Sequence, residues 1–119
     1  MSVKGPASDL AEIESAILRI QSYTSGMSEA DFVASLVVYD AVAMNLIVIG
    51  EAVRRIDSAI LAGEPEIPWA RIVGQRNRLA HGYEDVEPPW LWRTVTESVP
   101  PLLEAVRRLL AIYEDSANP

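Results

Sequence analysis

Apolar residues recur in this chain at intervals of three and four, and sustained alternation is missing. That spacing places side chains along one stripe of a helix, whereas a half-buried strand needs a period of two. No Asn-Gly or Asp-Gly pair offers a hairpin turn. The expectation is an all-α chain.

Turn and cap residues divide the periodic stretches. Leu10, Ile13, Ile17, Ile20 and Thr24 mark a first helix from about Asp9 to Tyr23, with Ser8 as N-cap and Ser25-Gly26 as its stop. Ser28 and Asp31 have the form of a capping box. A long second helix is expected from there to about Leu61, bent or broken at a point the pattern does not locate. Phe32, Leu36, Tyr39, Ala43, Leu46, Gly50, Val53 and Ile60 mark its inner face. Pro68 suits the first turn of a third helix, which carries Trp69, Ile72, Val73 and Leu79 and ends at Gly82 in a left-handed conformation. Pro88-Pro89 begin a fourth, kinked or restarted at Pro100-Pro101 because an interior proline removes a helix bond. The expected architecture is an antiparallel four-helix bundle with a kinked C-terminal helix, one domain over residues 1–119, frayed at 1–8 and 114–119.

Composition narrows the function. Cysteine is absent, which excludes disulfides and thiolate metal sites and fits a cytoplasmic setting. The longest apolar run, Ala41 to Gly50, is interrupted by Asn45 and falls short of a membrane span. Residues 1–14 hold no apolar segment of the kind a signal peptide needs. A net charge of −7 argues against gripping nucleic acid through the whole surface, so any such contact needs a local basic patch. Arg71, Arg76 and Arg78 cluster within eight positions.

The same region holds the single histidine, His81. Asn77 lies four residues before it, on the same helix face. Arg76 and His81 are five apart, which separates them by about 140° around an ideal helix. They meet only if the helix end unwinds near Gly82 or if a second copy completes the site. The chemistry suits RNA. An imidazole moves the proton of a ribose 2′-hydroxyl or of the leaving oxygen, and a guanidinium holds the scissile phosphate and its developing charge. Asn77 is a residue for orienting either. This scheme needs no metal or other cofactor, and no histidine–carboxylate set has ligand spacing. The plainer alternative is a packed histidine beside a solvated basic face, its arginines paired with Glu84, Asp85 or Glu87. The residues alone support a phosphate site and no more.

Arg76, His81 and Tyr83 together resemble the Arg-x4-His-x-Tyr signature of HepT-like proteins in the HEPN superfamily. Asp40-Ala41, Asn45 and Ile49-Gly50-Glu51-Ala52 are similar to the family's long second helix. Ile67-Pro68-Trp69, Ile72 and Gly74 are similar to its approach to the motif, and Trp90 and Trp92 follow at a suitable distance. The likeness runs over about residues 9–112. It implies a homodimer with two Arg/His strips facing across a cleft. It also implies metal-independent endonucleolytic cleavage of RNA by Arg76 and His81, assisted by Asn77; separately from the resemblance, the basic cluster offers Arg71 and Arg78 as RNA phosphate contacts. The family context is a type VII toxin-antitoxin system. There an MNT-type nucleotidyltransferase antitoxin moves AMP from ATP to the motif tyrosine, here Tyr83. The alternative role is a non-catalytic nucleotide- or substrate-binding partner subunit of such a transferase.

Overall fold

A computed structural model describes residues 5–82 and 85–117, with side chains through Glu114. Among the described residues every extended element is helical: α1 (Pro6–Thr24), α2 (Glu29–Val33), α3 (Leu36–Arg55), α4 (Ser58–Leu61), α5 (Trp69–Gly82), α6 (Pro88–Arg93) and α7 (Val99–Ala117), with a π-helical turn, Thr94–Ser98, joining the last two. The four long helices α1, α3, α5 and α7 form the bundle, as the periodicity predicts.

Helix ends follow local chemistry. Pro6 opens α1 behind Gly5, so the N-cap is not Ser8. At the other terminus α7 continues to Ala117. The left-handed turn after α1 falls on Gly26, at φ +75°. Ser28 and Asp31 form the capping box, with the Asp31 amide donating to Ser28 Oγ at 3.1 Å and the Ser28 amide to Asp31 Oδ2 at 3.0 Å.

The expected second helix is three. Ser35 recaps the chain at the start of α3 by accepting from the Val38 amide at 3.2 Å, and Asp57 caps α4 by accepting from the Ala59 amide at 2.9 Å. The break at Ala34-Ser35 resets the helical phase, which removes Leu36 from the inner face and leaves it 72% exposed. Tyr39, Ala43, Leu46 and Val53 remain buried.

Polar contacts give the directions. Arg55 Nε meets Asp9 Oδ1 at 3.0 Å, and Arg19 Nε meets Asn45 Oδ1 at 2.8 Å, so α1 and α3 are antiparallel. The Asp9 carboxylate holds the Arg55 guanidinium pKa above its ordinary value. Arg107 pairs with Glu14 at 2.9 Å, linking α7 to α1. Leu10, Ile13, Ile17, Ile20, Ile49 and Leu109 are fully enclosed between these helices. Each contributes about 1.5–3 kcal/mol through burial.

Corrections accompany α3, α5 and α7. By length and composition α3 is apolar enough to cross a membrane, contrary to the reading of its interrupted core run. Half of that span is buried against neighbouring helices, as in the central helix of a bundle. Gly82 is the last helical residue of α5 and is not left-handed. The prolines 100 and 101 sit in the first turn of α7, and the adjustment lies just upstream: the Val99 amide reaches back five residues to the Thr94 carbonyl. The hydroxyls of Thr94 and Thr96 donate to the carbonyls of Trp90 and Trp92 at 3.2 and 3.0 Å within that turn.

Candidate active site

The α5 helix starts where the Pro68 carbonyl accepts from the amides of Arg71 and Ile72, at 3.0 and 3.1 Å. The Trp69 indole donates to the carbonyls of Leu61 and Glu64, at 3.0 and 3.1 Å, and ties the incoming connector to the helix. From this anchored start α5 distributes its polar residues around three sides.

On the side facing α3 lies Arg76. Its Nε is ion-paired with Glu51 Oε1, and both atoms are sealed from solvent. Its Nη1 donates to Asn77 Oδ1 at 2.9 Å. Arg76 reaches this place because residue 50 is glycine: a Cβ there would lie 2.8 Å from Arg76 Cγ and 3.4 Å from the Ile72 carbonyl oxygen. The sequence reading placed Gly50 on the inner face but did not connect it to Arg76, and it missed Glu51. The available signal was a glycine inside a long helix, which costs about 0.5–1 kcal/mol relative to alanine and calls for a packing reason.

On the outer side Asn77, Arg78 and His81 line a shallow depression with Gly82 and Asp85. His81 is exposed. Asn77 thus touches Arg76 through one atom while bordering the depression with His81, and it is the link between the two halves of the strip. Arg76 itself does not line the depression. Because α5 stays helical through Gly82, the end does not unwind, and one chain does not bring Arg76 and His81 together.

The third side carries Arg71, Gln75 and Arg78 toward α6, and the Arg78 guanidinium lies 5.4 Å from the Trp90 ring centroid. Asp85 and Glu87 do not pair with Arg71 or Arg78. Tyr83 lies outside the described residues. Val86 is anchored by the buried Tyr39 hydroxyl, which donates to its carbonyl at 2.7 Å. Among the described residues, no three His, Asp or Glu side chains gather as a metal site would require.

The amino-acid sequence matches a known family. The family described as Ribonuclease HepT-like covers residues 13–109, and the chain belongs to it. The chain is 36% identical over 93 residues to a Thermococcus cleftensis protein named "Probable ribonuclease HepT", spanning 78% of this chain and 84% of that one. It is 33% identical over 101 residues to a candidate RNase of Caldanaerobacter subterraneus, at 85% and 87% coverage. A candidate RNase of Methanocaldococcus jannaschii is 33% identical over 84 residues, at 71% and 77% coverage. No solved structure matches the chain.

Proposed function

We propose that this protein is a metal-independent endoribonuclease acting as the toxin of a type VII toxin-antitoxin pair in the cytosol. One observation carries the reading: Arg76 is held by Glu51 and linked through Asn77 to a depression bordered by His81, which supports assigning phosphate binding to Arg76 and proton transfer to His81 on one helix. His81 takes the proton of a ribose 2′-hydroxyl, and the 2′-oxygen attacks the adjacent phosphorus. The bond to the 5′-oxygen breaks, leaving a 2′,3′-cyclic phosphate, and the imidazolium of His81 gives the proton it took to the departing 5′-oxygen. Arg76 stabilises the charge on the non-bridging oxygens, with Arg71 and Arg78 holding neighbouring phosphates.

Two strips are needed, because Arg76 and His81 of one α5 face different ways. A homodimer supplies the second. Support comes from apolar side chains exposed at the end of α2 and along the first half of α3, where Val33, Leu36, Val37 and Met44 are 47%, 72%, 79% and 60% exposed. Such a patch is the mark of an association surface.

The motif tyrosine is the off switch in this reading. The Tyr83 phenol oxygen attacks the α-phosphorus of ATP held by an MNT-type antitoxin, pyrophosphate leaves, and the new adenylate blocks RNA by bulk and by charge. Intact-mass measurement after incubation with that transferase and ATP should show added AMP, absent in Tyr83→Phe; retention in that variant rejects the assignment. For the ribonuclease itself, purified protein should cut RNA in the presence of a chelator and arrest growth when expressed. Unchanged cutting and arrest by both His81→Ala and Arg76→Ala rejects the assignment.

A further inference from the structure

Nine arginines are present, and their partners sort them. Arg54, Arg55, Arg76, Arg107 and Arg108 are ion-paired, and Arg19 hydrogen-bonds Asn45. Among the described residues, Arg71, Arg78 and Arg93 have no carboxylate within ion-pair distance. All three line one groove, between α5 on one wall and α6 with the π-helical turn on the other. The lining also holds one carboxylate, Glu97, so the groove sets three guanidiniums against one acid and is locally basic in a chain of net charge −7. The Arg78 guanidinium lies over the Trp90 ring, 5.4 Å from its centroid, a cation–π placement on one wall of the groove.

The groove connects two other spaces. Arg78 also borders the depression that holds His81, so the groove and the proposed cleavage site share a wall residue. At its other end Arg71, Gln75, Thr94, Glu97 and Ser98 are shared with a deeper cavity of about 210 Å³, floored by Leu46, Ile49, Ile72, Val99 and Leu102. Drug-sized ligands occupy pockets of about 300–1,000 Å³, so this one suits a single heterocycle. Its apolar floor accepts a ring face. Gln75, Glu97 and Ser98 at its mouth offer donors and acceptors for a base edge.

We infer that this groove is a binding subsite for the RNA strand flanking the cleaved bond, with Arg71, Arg78 and Arg93 on successive phosphates and one unstacked base in the cavity. The inference rests on the ribonuclease reading for its substrate but not for its test. A paired base cannot leave its helix cheaply, so the subsite selects unpaired strands.

The test uses the full chain and a short fluorescent 2′-O-methyl RNA of unstructured sequence, which lacks the hydroxyl needed for cleavage and so reports binding alone. Arg71→Ala/Arg93→Ala, both at exposed positions, should raise Kd about tenfold or more and flatten the dependence of log Kd on log salt. Ser98→Trp, which obstructs the cavity mouth, should weaken binding with the salt slope unchanged. The same RNA annealed to its complement should bind less well than the single strand. Double-variant binding within about twofold of the parent, with an equal salt slope, overturns the subsite. Unaltered binding by Ser98→Trp, or equal affinity for the duplex, overturns the base pocket. Cleavage of ordinary RNA is scored separately: loss of binding in the variants of a protein that never cuts RNA keeps the subsite and rejects the ribonuclease.

Discussion

Gly50 and Arg76 lie against each other where α3 meets α5, so close that a Cβ on Gly50 would come within 2.8 Å of Arg76 Cγ. The next residue on α3, Glu51, takes the Nε of the same arginine. One turn of α3 therefore sets both the depth and the direction of the side chain proposed to hold the scissile phosphate.

Gly50→Ala should destabilise the protein. Overpacking costs about 1–3 kcal/mol, and the gain in helix propensity returns only about 1 kcal/mol. Gly74, in α5, has nothing within 4 Å of the same hypothetical atom, so Gly74→Ala should be neutral or stabilising by up to about 1 kcal/mol. Chemical denaturation of the two variants checks the contrast; equal effects would remove the packing account of Gly50.

Glu51→Gln should act on Arg76 as a positioning residue. The pair is partly exposed, with the two side chains 23% and 37% accessible, so the expected stability loss is about 1 kcal/mol. RNA cleavage should fall more, mainly in kcat, and recover partly in Glu51→Asp. A stability loss without change in kcat would make the ion pair merely structural.

Tyr39→Phe should cost about 1–3 kcal/mol, because the buried Val86 carbonyl loses its hydroxyl donor. The variant should also speed amide exchange at Asp85, Val86 and Glu87. Thermal melting and hydrogen exchange read the two effects, and unchanged exchange there would show that the tether does not order this segment.

Acid should weaken one surface tie. Arg108 lies 2.7 and 3.0 Å from Glu64 and holds its carboxyl below the usual glutamate value of 4.5. A lowered native pKa gives stability that is present above the ordinary range and is lost as pH falls through the lowered value. The melting temperature of Glu64→Gln should therefore lie below that of the parent at neutral pH, and the gap should close in acid. A gap constant with pH would contradict this.

What the sequence disclosed divides by range. Spacing of Leu10, Ile13, Ile17 and Ile20 was enough for α1, and the Ser28–Asp31 box is a local signal that the structure contains in full. Ser35 and Asp57 are cap residues of the same chemical kind, yet they sit inside a stretch whose apolar spacing continues, so periodicity masked the breaks. Pro100 and Pro101 announced a disturbance, but its form, a π turn four residues upstream, depends on how α6 packs. The strip was legible as residue types and as an angle: the expected separation of Arg76 from His81 holds in the structure. The Glu51–Arg76 pair was not legible, because its members are far apart in the chain and only the α3–α5 packing joins them.

The central claim is that each α5 strip is half of a ribonuclease site. Arg76→Ala and His81→Ala proteins, each inactive alone, should regain activity when co-refolded, since a two-fold dimer of mixed composition holds one intact Arg76–His81 pair contributed by two chains. Half of the dimers are mixed and one of their two sites is whole, so RNA cleavage should return to about a quarter of the parent rate. A mixture as inactive as either variant, or full activity in either variant alone, would contradict it.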